Sequence, residues 1–258
     1  MKLSIVKKNK CDYKNKISVI CCFYNAEKYI EECLNSVISQ NSCDFRLMLL
    51  DDASIDRTLE LSLEILAKSN ISYEIFCSKE NVGVPRARNS LINLSSSEFL
   101  AIHDADDVMM PNRLALQYEV LSSDCGISIL GGRAIKIDDN SDFIDFMYYP
   151  PVDHDDIEHM LTGRVNPMID PSVMMTSKSF KALGGYSESD KIRLAQDFDL
   201  WIRACANGFK ISNLNIPIIF YRSTGGGLTQ SRKNDMIKAH VFVQSMHAEF
   251  LNSIRRKK

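Results

Sequence analysis

Three carboxylates lie close together in the segment Asp104-Ala105-Asp106-Asp107. Hard divalent cations prefer carboxylate oxygens, and one or two protein carboxylates suffice when phosphate oxygens and water complete the coordination. The same acids also suit a solvated helix start, where Asp is favoured by the helix dipole. Taken alone the segment favours the second interpretation, so the position of the acids in the fold has to decide.

Two further segments carry groups that could hold a phosphorylated ligand. Asp51-Asp52 follows an apolar run, and its carboxylates could accept hydrogen bonds from the base and ribose of a nucleotide or could cap the next helix. The segment from Asn81 to Asn89 combines Gly83 with Arg86 and Arg88. A guanidinium could contact a diphosphate, and a helix start with surface arginines is the open alternative.

The second half of the chain offers a candidate base and a candidate hinge. Asp197, in Gln196-Asp197-Phe198-Asp199-Leu200-Trp201, could remove a proton from a hydroxyl group or could cap its helix. The triple glycine at 225–227 could be the hinge of a closing loop or a surface turn. It is flanked by Arg222, Arg232 and Lys233, which could meet phosphate or solvent.

Strands and helices must alternate to position the first-half candidates. Short apolar, β-branched runs predict strands at 17–22, 45–50, 73–77 and 98–102. Between them, helices are predicted after Asn25 as N-cap, after Ser54 or Asp56 as cap, and from Pro85 to Leu94. This alternation predicts an α/β fold with a mostly parallel sheet. Because ligands bind at the carboxyl ends of such strands, the polar residues there predict a nucleotide site.

The remaining elements are less regular. Strands are predicted at 127–132, 134–137 and 172–175, with closing strands at Ile211 and 216–220, and a surface excursion is expected over 138–158. A helix is predicted over 196–207, ending at Gly208 as its C-cap. Residues 1–15 are expected to form a loose tail, and the last ~25 residues a helical segment with a basic end.

Bulk properties bound the class of protein. The 258 residues suit one large α/β domain or two small ones, and a net charge of -2 gives no field that favours nucleic acid. The eight cysteines show no metal-ligand spacing and are expected to be reduced thiols. No signal peptide and no apolar run approaching ~20 residues is visible, so a cytoplasmic protein is expected, with any membrane contact peripheral.

In their order along the chain, five motifs together resemble glycosyltransferase family 2, whose members have the GT-A fold. They are the strand with Tyr24-Asn25, the segment 50–58, the segment 81–89, the acids 104–107 with Pro111, and Gly184-Gly185-Tyr186 followed by 196–201. The resemblance covers about residues 16–232, and it implies a nucleotide-sugar half at 16–115 and an acceptor half at 116–232. A helical, basic tail at 233–258 follows.

The resemblance implies roles for individual residues. Asp52 would accept a hydrogen bond from the base, expected to be uracil, while Asp104 would lie by the ribose and the metal. Asp106 would be the direct ligand of Mn²⁺ or Mg²⁺, and Asp197 the catalytic base. Asp107 is expected only to help start the next helix. The nucleotide-sugar set as a whole is Cys22, Tyr24, Asn25, Asp52, Asn81, Gly83, Arg88, Asp104 and Ala105.

Four positions depart from the family pattern. Cys22 replaces a usual proline and Ala53 a usual glycine, and both changes are expected to adjust only the local backbone. Gln196 replaces the acid that commonly precedes the catalytic Asp, so that acid is not part of the assignment. Asp170 stands where relatives often carry His, which leaves the acceptor contacts there open.

The resemblance predicts a metal-dependent, inverting enzyme of the hexosyltransferase type in bacterial surface polysaccharide synthesis. The donor would be a UDP-sugar, the acceptor a saccharide or lipid-linked saccharide, and the protein a monomer or homodimer. The segment Met236–Phe250 with the basic end could lie on an anionic membrane or could simply pack. A sugar nucleotidyltransferase is disfavoured because no glycine-rich, lysine-containing loop follows the first strand, and an inactive relative because Asp106 and Asp197 are retained.

Overall fold

A computed structural model describes residues 3–9, 15–41, 44–123, 125–163, 165–224 and 232–256. Its strands are β1 Ser4–Lys8, β2 Ile17–Phe23, β3 Phe45–Asp51, β4 Ser72–Cys77, β5 Phe99–Asp104, β6 Val108–Met109, β7 Ile127–Ile137, β8 Phe143–Met147, β9 Met174–Thr176 and β10 Lys210–Arg222. Its helices are α1 Ile30–Ile38, α2 Thr58–Ala67, α3 Val84–Asn93, α4 Arg113–Ser122, α5 His154–Leu161, α6 Ser177–Ala182, α7 Gln196–Ala206, α8 Lys233–Met246 and α9 Ala248–Arg255.

The described strands form one sheet in the order β1-β4-β3-β2-β5-β9-β7-β10-β6, with β8 paired to β7. The pairs β4-β3, β3-β2, β2-β5 and β7-β10 are parallel, which confirms the predicted α/β fold with a mostly parallel sheet. Strand β9 is antiparallel to both β5 and β7, and it joins the two parallel parts.

Helices cover both faces of the sheet because its central strands are apolar on both sides. Ile20 and Ile102 pack on one face against side chains of α3 and α7, including the fully buried Trp201. Val19 and Leu47, which alternate with them, pack on the other face against α1 and α4. Continuous burial along β2 and β3 therefore follows from their β-branched and leucine-rich runs.

Two expectations at the amino end of the chain were wrong. Residues 4–8, expected in a loose tail, form β1 and pair antiparallel with the edge strand β4. Asn25 does not cap α1, which begins at Ile30 after Tyr29. Asn25 instead has a φ of 52°, and its carboxamide oxygen accepts from the backbone N–H of Ile55 at 2.9 Å.

The remaining boundaries differ in detail. The two strands predicted over 127–137 are one strand, β7, and those predicted at 211–220 are one strand, β10. The expected surface excursion at 138–158 contains β8 and the start of α5. The helix predicted over 196–207 is confirmed as α7, and Gly208 follows it with a φ of 75°, as a C-terminal glycine does.

Two global expectations can be compared with the described residues. The six cysteines among them are free thiols, and Cys11 and Cys43 lie outside the described residues. Within the same residues, every helix is too short or too polar to cross a bilayer.

A buried ion pair stabilises the amino ends of the parallel strands. Arg46 on β3 lies 3.4 Å from Glu74 on β4, and the side chains are 2% and 9% exposed. The guanidinium Nε also donates to the Ser18 hydroxyl at 2.9 Å. Removing one charge leaves the other buried without its counter-ion, and that costs more than the pair contributes.

We expect Arg46→Met to lower the free energy of unfolding by about 3 kcal/mol, since Glu74 then lies unpaired in the interior. The double variant Arg46→Met/Glu74→Gln should recover part of that loss, and urea titration measures both. Arg57→Met is the matched control, because Arg57 pairs with Glu60 on the exposed surface, and its urea midpoint should not change. Equal loss in the single and double variants would contradict the ion-pair explanation.

Candidate active site

The acidic cluster lies where β5 ends. Asp104 is the last residue of β5, and Asp106 and Asp107 occupy the turn before β6. One ligand oxygen from each of the three lies within 4.8 Å of the others. Asp107 is buried and accepts from the backbone N–H of Arg222 at 2.8 Å. The expectation that Asp107 starts the next helix was wrong, because α4 begins only at Arg113.

The chemistry of this cluster fits a hard divalent cation. Burial and the charge of Asp104 raise the pKa of Asp106 to about 6. Burial and the charges of Asp106 and Asp104 raise the pKa of Asp107 well above its usual range. Among the described residues, the second carboxylate oxygen of Asp107 is buried without a hydrogen-bond partner. A cation would relieve this repulsion, and all three donors are the carboxylate oxygens that Mg²⁺ and Mn²⁺ prefer.

Arg222, for which contact with phosphate or with solvent was left open, is buried against other parts of the protein. Its buried guanidinium donates to the backbone carbonyls of Asp106 at 2.7 Å and Asp138 at 2.8 Å, and it pairs with Glu32. The side chain therefore fixes the backbone of the acidic turn. Arg232 pairs on the surface with Asp235 at 3.0 Å. The triple glycine at 225–227 and the side chain of Lys233 lie outside the described residues.

Arg88 is buried, so the alternative of a surface arginine at the start of α3 is wrong for this residue. Its guanidinium forms ion pairs with Asp104 and with Asp170, and it lies 5.5 Å from the ring centroid of Tyr186. Although burial opposes its charge, the two carboxylates hold the pKa of Arg88 well above its usual value. Arg86, by contrast, is exposed and lies 3.6 Å from Glu188.

Asp170 belongs to the same network. Its carboxylate accepts from the hydroxyl of Tyr186 at 2.9 Å in addition to pairing with Arg88. The pKa of Asp170 is raised to about 6. Burial is the largest cause, the charge of Arg88 opposes it, and the charge of Asp197 adds to it. The carboxylate at this position is therefore held by Arg88 and Tyr186. An imidazole could not accept from both in the same way.

Asp52 is directed into the loop between β4 and α3. Its carboxylate accepts from the backbone N–H groups of Val82 at 3.0 Å and Gly83 at 2.8 Å, and from the Ser78 hydroxyl at 3.1 Å. The alternative that Asp52 caps the next helix is therefore wrong. Gly83 has a φ of 84°, and a Cβ there would lie 2.6 Å from an Nη atom of Arg193. The glycine thus admits the Arg193 guanidinium beside the loop that Asp52 holds.

Asp197 lies in the first turn of α7 and is half-buried. Burial raises its pKa, while the backbone N–H of Phe198, the charge of Arg88 and the Asn166 carboxamide favour the charged form. Asn166 donates to the carboxylate at 2.6 Å. The charge of Asp197 contributes, after burial, to raising the pKa of Tyr149 to about 12. A carboxylate with a raised pKa is suited to accept a proton near neutral pH.

The other candidates surround this centre. Cys22 is paired in register with Asp104 across β2 and β5, Ala105 is buried in the acidic turn, and Tyr24 is exposed just beyond β2. Asn81 is exposed in the loop that Asp52 holds. Asn25, although predicted in the nucleotide site, has its carboxamide oxygen bonded to the turn at Ile55.

Sequence reasoning missed three residues of the site. Asn166, Arg193 and Tyr149 lie outside the regular helices and strands, where no periodicity indicates which side chains approach the site. Asn166 donates to Asp197, Arg193 lies against Gly83, and Tyr149 lies within range of the Asp197 charge. Only the folded chain brings these residues together.

Comparison with known proteins decides the family. The family model described as Glycosyl transferase family 2 matches residues 18–184. The chain belongs to glycosyltransferase family 2. The earlier resemblance is thereby confirmed, and membership of the family supports glycosyltransferase activity rather than nucleotidyl transfer.

Individual family relatives cover most of the chain. The putative glycosyltransferase EpsE of Bacillus subtilis is 28% identical over 199 residues, which cover 77% of this chain and 70% of that protein. The putative teichuronic acid biosynthesis glycosyltransferase TuaG of the same organism is 25% identical over 224 residues, which cover 86% and 84%. The crystal structure of S. aureus TarS 1-349 in complex with UDP superposes with a TM-score of 0.67 at 20% identity, covering 92% of this chain and 71% of that chain. That likeness confirms the GT-A fold.

The contact between Asn166 and Asp197 yields a prediction. We expect Asn166→Ala to raise the pKa of the Asp197 carboxyl, because the lost hydrogen bond favoured the charged form. Titration of the aspartate carboxyl carbons by NMR measures this change. Asn207→Ala is the control, since Asn207 lies at the other end of α7 and donates to the Arg203 carbonyl. An Asp197 pKa that is unchanged or lowered in Asn166→Ala would contradict the assigned contact.

Proposed function

We propose that this family 2 enzyme transfers a sugar from a UDP-sugar, with inversion, to a saccharide or lipid-linked saccharide acceptor in surface polysaccharide synthesis. The observation that carries the proposal is the set of three carboxylates in reach of one cation, joined through Arg88 and Asp170 to the network around Asp197. The name of TuaG, which refers to teichuronic acid, and the UDP bound by TarS support the polymer and the nucleotide.

The nucleotide and metal sites are proposed as follows. Asp106 is the direct ligand of Mn²⁺ or Mg²⁺, and Asp104 lies by the ribose and the metal. When bound, the cation would offset the charge of the leaving diphosphate. The chain's own contribution is to hold these acids in place: Arg88 pairs with Asp104, and Arg222 binds the Asp106 carbonyl. The remaining nucleotide-sugar residues are Cys22, Tyr24, Asn25, Asp52, Asn81, Gly83, Arg88 and Ala105.

Asp52 is proposed to select the base. Its carboxylate oxygen that accepts from Gly83 has a second lone pair, which can accept from the N–H of a uracil ring. The two backbone N–H groups of the loop hold that carboxylate in one orientation, so the acceptor is preorganised. The N–H group of a uracil ring fits this acceptor, and the proposed use of UDP rests on that fit.

Asp197 is proposed as the catalytic base. Its carboxylate would take the proton of an acceptor hydroxyl while that oxygen attacks the anomeric carbon from the side opposite the diphosphate. One new C–O bond forms as the sugar–phosphate bond breaks, so the configuration inverts and no covalent sugar–enzyme intermediate forms. Asn166 orients the carboxylate and leaves its other oxygen to face the acceptor.

Two substitutions separate the proposed roles. Asp106→Ala should abolish the stabilisation that UDP and Mn²⁺ together give, because a direct ligand is lost. Asp197→Asn should preserve that stabilisation while lowering transfer and UDP-sugar turnover at least about 100-fold, as expected for a lost base. Thermal melting with UDP and MnCl₂, and a screen of UDP-sugars for turnover, measure both, with the exposed Asp235→Asn as control. Equal melting shifts in Asp106→Ala and wild type would rule out the metal assignment, and full turnover in Asp197→Asn would rule out the base.

Peripheral attachment to the cytoplasmic face of a membrane is a further part of the proposal. Helix α8 exposes Ile237, Val241 and Met246, and basic Arg255 and Arg256 follow at the end of the next helix and just beyond it. An apolar helix face with nearby cations can lie on anionic lipid. The opposite sides of these helices pack, because Val243, Leu251 and Ile254 are buried. Deleting the segment would therefore expose the core, and surface substitutions are the cleaner test.

We expect Ile237→Ser/Val241→Ser to reduce binding to phosphatidylglycerol vesicles about tenfold, because these side chains would enter the lipid. Sedimentation with vesicles measures it. Ile5→Ser/Val6→Ser on β1 is the matched control, since it changes an equally exposed apolar pair on another surface. Unchanged vesicle binding in the α8 variant would exclude attachment through this helix.

A further inference from the structure

Strand β8 and the residue that follows it carry an exposed row of aromatic rings. Phe143, Phe146 and Tyr148, called here the aromatic ladder, are 59%, 45% and 51% exposed. The ring centroids of Phe143 and Phe146 are 5.0 Å apart, and those of Phe146 and Tyr148 are 5.1 Å apart with planes at 18°. The guanidinium carbon of Arg133 lies 5.3 Å from the Tyr148 ring centroid. A contiguous exposed apolar patch of this kind commonly marks a binding site.

The ladder is held on a rigid base. Strand β8 pairs antiparallel with β7 from Ala134 to Ile137. Met147, between Phe146 and Tyr148 in sequence, packs in the opposite direction against a small cluster that includes Ile169 and Ile219. Because side chains alternate along a strand, that packing turns Phe146 and Tyr148 outward. The register shift between Phe143 and Asp145 brings Phe143 to the same face. The rings are therefore fixed in a row and available to a ligand.

Both ends of β8 adjoin the candidate active site. At its start, Arg222 donates to the carbonyl of Asp138 and also to the carbonyl of Asp106 in the acidic turn. Past its end, Tyr149 lies within range of the charge of Asp197, which helps raise the pKa of this phenol. Five strand residues extend about 17 Å. The segment that carries the ladder is thus linked to the site at both ends, to the acidic turn at one and to Asp197 at the other.

We propose that the aromatic ladder binds the sugar rings of a neutral saccharide acceptor, beyond the unit whose hydroxyl reacts. This inference rests on the proposed function, because it places the acceptor chain beside Asp197. One face of a pyranose ring presents C–H groups that pack on an aromatic face, while its hydroxyls stay in water at the rim. Flat rings in a row suit successive sugars of a chain, and they bury apolar surface without closing a pocket.

Charge favours this occupant over a lipid surface. The exposed acids Asp142 and Asp145 lie on the same strand and the turn before it. These two acids offset the charges of Arg133 at the Tyr148 ring and of Lys136 opposite Asp145, so the ladder offers no net attraction to anionic lipid headgroups or to a strongly anionic polymer. An uncharged saccharide needs no such attraction. Continuity with the site around Asp197 also distinguishes the ladder from the exposed side chains of α8, which lie in the C-terminal segment.

The test compares wild type with Phe146→Ala/Tyr148→Ala and with Phe242→Ala, an exposed aromatic on α8 as matched control. The probes are cello-, laminari- and chito-oligosaccharides of two and six sugars. Saturation-transfer NMR measures their binding to each protein. We expect at least one hexasaccharide to bind wild type and the control more tightly than its disaccharide. The double variant should bind that hexasaccharide roughly tenfold more weakly. Phe143→Ala, a single change in the same row, should give a smaller loss of hexasaccharide affinity. It replaces the double variant in the test if the double variant unfolds at a lower temperature than wild type.

Three results would overturn the inference: no saccharide of the panel binds wild type, hexasaccharide binding survives the double substitution, or the double variant instead loses vesicle binding or self-association in sedimentation. Stabilisation by UDP and Mn²⁺, measured on the same samples, should be equal in all three proteins. Its absence from wild type would contradict the proposed function separately, while ladder-dependent saccharide binding would remain.

Discussion

The buried guanidinium of Arg88 is the constraint on which the site depends. Removing an arginine from water costs several kcal/mol unless carboxylates meet it with good geometry. Here Asp104 meets it from the end of β5, and Asp170 meets it from the 3₁₀ turn before β9. One side chain on α3 therefore joins the parallel part of the sheet to the segment that leads into its second part. The buried carboxylate of Asp170 could not be placed so deeply without this cation beside it.

Buried arginines hold the surrounding backbone in a similar way. Arg113 donates to the carbonyls of Ile102 and Pro171 at 2.7 Å each, so it joins β5 to the same turn that Asp170 opens. Arg222 binds the acidic turn to β10 and to the turn before β8. A site that must collect negative charge at one point is thereby built on fixed positive charge just behind it. The acids can remain close together because their backbone cannot relax apart.

The proposed acceptor side lies along β8 and around the start of α7. Asn166 orients Asp197, and Tyr149 places an aromatic ring near that carboxylate. The aromatic ladder continues from there along an edge that is open to solvent. A polymer chain needs such an open edge, because an enclosed pocket would admit only its last unit. The division into nucleotide and acceptor halves at about residue 115 stays a prediction.

The sequence by itself determined the parallel core and the ends of its strands, because β-branched apolar runs and helical periodicity are local signals. Asp104, Asp106 and Asp52 were identified as site candidates for the same reason, since they follow such runs directly. Local signals did not reveal that residues 4–8 would add an edge strand, because that pairing depends on the free edge of β4. They also assigned Asn25 and Asp107 to helix starts, whereas long-range bonds to Ile55 and Arg222 decide the roles of these two residues. Burial of Arg88 and Arg222, and the arrival of Asn166 at Asp197, were decided only by tertiary structure, because the energy of a buried charge depends on partners distant in sequence.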